Sequence, residues 1–228
     1  MAPRQQDQGD ILYAPPRERV LATNAWAFLH WIATTRGVHL ADWSALQAWS
    51  GAKPLAFASA VRAFAGLPDD ADAASVRREA GLLLHLDLRP DDTLLVAGGS
   101  DWSGARRYVT SVTKHDARTP GALLRAAAGT GVSVLVAPAA QLDREAFRLG
   151  AGRLDLARLR LVVVLGGPMP GNARARLYTW VKPDLMLVAR AGDTVWDDPL
   201  SPVLRAPPAR PALGVTLRLP PSPDRGAR

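Results

Sequence analysis

At 228 residues, 48% of them apolar, the chain is long enough for one α/β domain with a smaller helical piece, or for one large domain. No run approaches the roughly 18 uninterrupted apolar residues of a membrane span, and the lack of cysteine excludes disulfides and thiolate metal sites. The net charge of +7 admits a basic interaction module, but the arginines are scattered, with no block of five basic residues and no aromatic–basic alternation, so neither a membrane nor nucleic acid is the expected partner.

Residues 1–12 are polar and poor in bulky apolar groups, which predicts disorder. They also lack the apolar core of a signal peptide, which leads to the expectation of a cytoplasmic protein. Pro15-Pro16 then opens a helical pattern in which Val20, Leu21, Asn24, Phe28 and Trp31 recur at helix spacing, with Thr23 or Asn24 as an alternative cap for a later start. Gly37 stops it. Asp42 begins a second segment carrying Trp43, Leu46 and Trp49, ended by Ser50-Gly51, and a third helix runs from Lys53 to Phe64. Four of the seven tryptophans, Trp26, Trp31, Trp43 and Trp49, fall in this helical unit, 13–66. A small unit needs such large side chains to make a core. Three short helices cannot cover all of these rings, so a protein partner on the Trp-rich helices is an expectation.

The acidic, small-residue stretch Gly66–Ala74 breaks from both sides in composition and places a linker at 67–81, although Ser75–Leu84 can be helical. An α/β region, 82–202, follows. Its predicted strands are Thr93–Ala97, Val132–Ala137, Leu161–Leu165 and Leu185–Ala189, short apolar runs that read as strands buried on both faces. Helices are expected from Thr119-Pro-Gly121 (Thr119 as N-cap), over Ala140–Leu149 and over Asn172–Val181, whereas Lys114-His115-Asp116 reads as a solvated loop. The tail, 203–228, reads as an edge strand over Leu213–Leu219 followed by a disordered Pro- and Arg-rich end. Because parallel α/β sheets hold ligands at the carboxyl ends of their strands, a small-molecule site should lie near Gly166–Pro170 and Gly192–Thr194.

Several of these stretches carry a resemblance. The opening Leu12-Tyr-Ala-Pro-Pro-Arg-Glu-Arg19, the spaced Asn24, Phe28, Trp31 and Arg36-Gly37, then Asp42-Trp43, Trp49-Ser50, Phe57 and Phe64, look like the start of acetoacetyl-CoA synthetases, members of the adenylate-forming acyl-CoA synthetases. Asp87-Leu-Arg-Pro-Asp-Asp92 resembles the family's "DLRPGD", and Lys182-Pro-Asp184 its "VKPDVWL". Asp155-Leu-Ala-Arg-Leu-Arg160 resembles "DLSSLR" without its serines, and Ser201-Pro-Val-Leu-Arg-Ala-Pro-Pro208 resembles "SPLLPVRAGE". The likeness covers about residues 12–66 and 82–208. It implies an α/β fold in which an N-terminal helical unit precedes a partial, mostly parallel sheet of βα units like part of the family's large domain. It also implies vestigial nucleotide- or acyl-binding positions: Trp102 on the acyl side, the turn Gly166-Gly167-Pro168-Met169, and the loop Gly192-Asp193-Thr194. Read from the residues alone, Trp102 is equally well a core tryptophan at a helix start.

The departures from the pattern matter more for function. In the family a Ser/Thr/Gly-rich loop ending in lysine, which cradles ATP phosphates through backbone N–H groups, lies between the helical opening and "DLRPGD"; here nothing corresponds to it. Thr194 matches a phosphate-binding threonine, but the acid that follows it and holds Mg²⁺ is replaced by Val195. Asp193 comes one residue early, and Asp197-Asp198 is displaced and reads as a solvated turn. The family's smaller C-terminal domain, with its catalytic lysine, has no counterpart. The expectation is therefore a degenerate, internally deleted relative without adenylation activity, with no catalytic residue, no metal and no cofactor, which binds a small acyl ligand or serves as a scaffold. The alternatives are an acyl-CoA ligase acting alone or completed by a partner, for which ATP with Mg²⁺ and CoA would be required, and the basic interaction module.

Overall fold

The computed structural model describes residues 11–116, 121–147, 154–196, 199–200, 203–204 and 209–217. In chain order they form β1 (Ile11–Tyr13), α1 (Arg17–Leu21), α2 (Asn24–Arg36), α3 (Trp43–Ala52), α4 (Pro54–Ala65), α5 (Ala73–Ala80) and, continuing α5, a π-helical turn over Gly81–His85. The second half is β2 (Thr93–Ala97), a 3₁₀ turn (Ser103–Arg107), β3 (Ser111–His115), α6 (Ala122–Thr130), β4 (Val134–Pro138) and α7 (Ala139–Ala146). Then come β5 (Leu161–Leu165), α8 (Gly171–Trp180), β6 (Met186–Ala191), β7 (Thr194–Val195), β8 (Val203–Leu204) and β9 (Arg210–Pro211). The protein is α/β with a mostly parallel sheet in the order β3-β2-β4-β5-β6-β7-β9. The strands β3, β2, β4, β5 and β6 run parallel, and β7 and β9 add antiparallel. No helix among the described residues is long and apolar enough to cross a membrane.

The four central strands are apolar at nearly every position because both faces are covered. Leu95, Leu135, Val162 and Leu187 point into the core made with α6, α7 and α8. Their neighbours Leu94, Val134, Leu161 and Val188 point the other way, onto Leu82 of the π turn, onto Leu86 and Leu88 after it, and onto Ala105 and Val109. Each fully buried Val or Leu contributes about 1.5–3 kcal/mol. A third core joins Phe28, Ile32, Leu46, Phe57 and Val61 of the N-terminal helices. Thr23 caps α2 by accepting the Trp26 N–H, and Asp42 caps α3 by accepting that of Ala45, so the pattern from Pro16 divides into α1 and α2. Within this unit Trp43 is buried and Trp26, Trp31 and Trp49 are half-buried, with Trp31 stacked on Phe28 at 6.2 Å.

Four expectations are corrected. Residues 11–12, placed in the disordered end, and Tyr13, placed in the helical unit, form β1, which pairs with Val203 and Leu204. The linker expected at 67–81 gives way to α5 from Ala73, in keeping with the helical option for Ser75–Leu84; the Asp72 carboxylate caps it on the Ser75 N–H, and Val76 and Ala80 join the helical core. Lys114 and His115 belong to β3, the parallel edge strand beside β2, rather than to a loop. Residues 213–216 form a turn, and Leu213 and Leu217 bury in the helical core instead of alternating along an edge strand. Gly214, at φ +71°, makes that turn, with Phe57 directly behind it. The expectations for residues 1–10, Thr119-Pro120, Asp197-Asp198, Ser201-Pro202 and 218–228 lie outside the described residues.

The "DLRPGD"-like motif stands at the amino ends of the strands. Asp87, held at φ +50°, accepts the Asn24 N–H at 2.7 Å and pairs with Arg89 at 2.6 Å. Asp92, 2% exposed, accepts from Ser133 Oγ at 2.7 Å, from Arg160 Nε at 2.8 Å and from the Arg89 N–H at 2.9 Å. Arg160 also lies 3.7 Å from Asp87. Burial alone would raise the Asp92 carboxyl, but the hydrogen bonds and charge of Arg160, with those of Ser133 and Arg89, hold it below its ordinary value. This network ties α2, β2, β4 and β5 together at the edge of the sheet opposite the loops that leave the strands' carboxyl ends.

Candidate functional site

At the carboxyl ends of the parallel strands the chain leaves a cavity of about 340 Å³. Its floor is Val163 and Leu165 of β5 and Arg190 of β6; Leu165 and Arg190 are register partners. Asp101 and Trp102, at the start of the 3₁₀ turn after β2, make one wall. Arg77, Arg78 and Gly81 of α5 and the π turn make the opposite wall. The placement follows from the chain: a buried strand ends where its first polar residue, Arg190, reaches the edge. The Gly98-Gly99 turn, with Gly98 at φ +86°, redirects β2 toward Trp102.

The walls are fixed from outside. Tyr108 donates to the buried Glu79 carboxylate of α5, and Arg107 donates to the Ala65 and Gly66 carbonyls at 3.0 and 3.1 Å. Burial and the neighbouring Glu79 push the Tyr108 hydroxyl above its ordinary value, so it stays a donor. Asp101 is committed to the Ser103 N–H and Oγ at 2.9 and 3.0 Å. Arg190 donates from Nε to the Gly192 carbonyl at 3.1 Å, and no carboxylate among the described residues forms an ion pair with it. Burial lowers its basicity, partly offset by the charge of Asp193. Behind it, the His85 ring, 2% exposed, accepts the Leu213 N–H at Nε2, 2.9 Å away, so its own proton is on Nδ1. Burial, helped by the positive Arg190, pushes His85 down to about 3, so the ring is neutral.

Of the residues expected in a site, Trp102 lines the cavity. Gly166 and Gly167, at φ +87° and +135°, form the turn leaving Leu165, and the Gly166 N–H is spent on the Arg190 carbonyl. Pro168 is exposed and Met169, 7% exposed, packs into the core beneath α6–α8, so neither borders the cavity. Gly192 and Asp193 are exposed and do not line this cavity; the Gly192 carbonyl accepts from Arg190 Nε and the Asp193 carbonyl accepts the Ala212 N–H. Thr194 pairs with Pro211 in β7. Val195, at the position where the resemblance implies an acid, is 3% exposed and packs into the core rather than lining the cavity. The sequence reading missed Arg190, Gly81, Arg77 and Arg78. A charged residue closing a purely apolar strand was the available signal for Arg190.

No protein-family model and no curated protein matches this sequence. Among solved structures the chain is similar to the acetoacetyl-CoA synthetase from Streptomyces lividans, at 25% identity over 61% of this chain and 25% of that one, with a TM-score of 0.49. It is also similar to the N-terminal domain of FACL13 from Mycobacterium tuberculosis, at 18% identity over 57% of this chain and 35% of that one, with a TM-score of 0.45. A third similar structure is the amide bond synthetase McbA from Marinactinospora thermotolerans, at 21% identity over 53% and 24% of the two chains, with a TM-score of 0.41. The chain spans 24–35% of the length of these proteins.

Proposed function

We propose that this chain is a ligase-like scaffold that holds a small acyl compound at the carboxyl edge of its sheet and does not adenylate it. The observation that carries the reading is Trp102, which stands against an open cavity where the acetoacetyl-CoA synthetase-like motifs imply an acyl-side wall. Adenylation requires a phosphate cradle to place the triphosphate and a metal to neutralise it, both acting on charge that develops as pyrophosphate leaves. No Gly-rich loop ending in lysine occurs between Gly66 and Asp87, and Val195 stands at the metal position. Each such part lowers a barrier by a few kcal/mol, so losing both removes about a thousandfold or more in rate. What persists is a rigid floor of parallel strands with an apolar wall.

The test pairs binding with exchange. Calorimetric titration of the full chain with acetoacetate and butyrate should give binding that is lost in Trp102→Ala, and ATP–pyrophosphate exchange should stay at background. Exchange by the isolated chain would refute the non-adenylating part. Failure of every short acid to bind would refute the acyl-binding part.

A further inference from the structure

The charge inside the cavity goes beyond what an acyl chain needs. Three guanidinium groups, Arg77, Arg78 and Arg190, line it against one carboxylate, and that carboxylate is already engaged by Ser103. The three are not equivalent. Arg77 donates to the Leu217 carbonyl at 3.1 Å. Arg78 has Glu79 3.5 Å from its Nε and donates from a terminal nitrogen to Ser75 Oγ at 3.3 Å; it is exposed, its stem lying over Gly104 beside Trp102. Arg190 is half-buried, and a β-carbon at Gly81 would sit 2.8 Å from one of its terminal nitrogens. A partly buried guanidinium whose terminal N–H groups lack an anion is costly, and a bidentate carboxylate is the group that relieves it. The same lining includes the apolar side chains of Leu82, Trp102 and Leu165. Arg78 and Gly81 are three residues apart, so their backbone positions lie roughly 4.5 Å apart along the helix at 1.5 Å per residue, with the Arg78 side chain reaching out from there over Gly104.

We infer that the cavity takes a short α,ω-dicarboxylate, one carboxylate on Arg190 beneath Gly81, the apolar middle against Trp102, and the second carboxylate at the rim on Arg78. This rests on the acyl-binding reading above and sharpens it to a ligand with two anionic ends. Gly81 supplies the test, because its backbone is ordinary helix (φ −62°, ψ −50°) and alanine there suits the chain. Only the tip of the flexible Arg190 must move to admit the methyl group, and that movement takes the guanidinium off its position.

The experiment is calorimetric titration of the full chain with glutarate, butyrate and inorganic phosphate, on the wild type, Gly81→Ala and Arg78→Gln, with thermal unfolding of each. The expected result is glutarate binding about tenfold or more tighter than butyrate, as one added charge-assisted hydrogen-bonded contact gives. Gly81→Ala should lose about that factor for glutarate while its Tm is unchanged or raised. Arg78→Gln should bring glutarate close to butyrate. Equal affinity for glutarate and butyrate would overturn the dicarboxylate assignment and leave the acyl reading standing. Phosphate binding as tight as glutarate would overturn the two-ended geometry. Binding of none of the three would overturn both proposals.

Discussion

The neutral, buried His85 makes stability depend on pH in a calculable way. In the unfolded chain the ring titrates near its ordinary value of 6.5; in the folded chain it is pushed down to about 3, first by burial and then by Arg190. Below pH 6.5 the unfolded state therefore binds a proton that the folded state refuses. A depressed folded value means that the contribution to stability is complete above 6.5 and falls away as pH drops toward 3. Between pH 7 and pH 5 the loss is about 1.9 kcal/mol, from linkage with the folded ring still neutral. For a chain of this length that lowers Tm by about 4–8 °C. Urea unfolding at half-unit steps from pH 7 to pH 5, on the wild type and on His85→Gln, measures it. Glutamine keeps an acceptor for the Leu213 N–H and removes the titration. The wild type should lose stability steeply below pH 6.5 and the variant should be flatter by about 1.9 kcal/mol over the interval. If both chains show the same slope, the ring is not held neutral in the fold and the reasoning fails.

Asp92→Ala removes the acceptor shared by Arg160, Ser133 and the Arg89 N–H. Asp87 remains beside Arg160, so the cost should sit near the lower end for breaking a buried pair, about 3 kcal/mol by denaturant unfolding. Because its carboxyl is held below 3.8, that contribution should persist down to mildly acid pH and be lost only as pH falls below 3.8. Glu145→Ala should cost about 2–4 kcal/mol, since the buried carboxylate accepts the Gly121 and Leu124 N–H groups at 2.7 and 3.3 Å and both would be left unsatisfied. Glu145→Gln, which keeps one acceptor, should recover part of that in the same assay.

The sheet was legible because its signal is local. Strands covered on both faces must be apolar throughout, and Leu161–Val164 and Leu187–Ala189 are. Caps such as Thr23 and Asp42 mark helix starts for an equally local reason. What was not legible depends on pairing across the chain. Ile11 gives no hint of β8, nor Leu213 of His85. The site divided along the same line. Trp102 is singled out through the resemblance alone; from the residues it reads equally well as a core tryptophan. The role of Gly81, in a stretch whose composition reads as a spacer, becomes visible only once Arg190 is seen lying against it. The motifs carrying the family likeness, Asp87–Asp92 and Arg160, proved to brace the amino edge of the sheet, so resemblance there speaks to architecture rather than to chemistry.

The turn that returns Leu213 and Leu217 to the helices also has a consequence for synthesis. His85 waits for a partner 128 positions downstream, and Arg77 for one 140 downstream. At ribosomal speeds of about 5–20 residues per second, the helices emerge on the order of ten seconds before the segment that seals them. During that interval Phe57 and its neighbours have an open flank, and a nascent-chain holdase has a defined window in which to engage it.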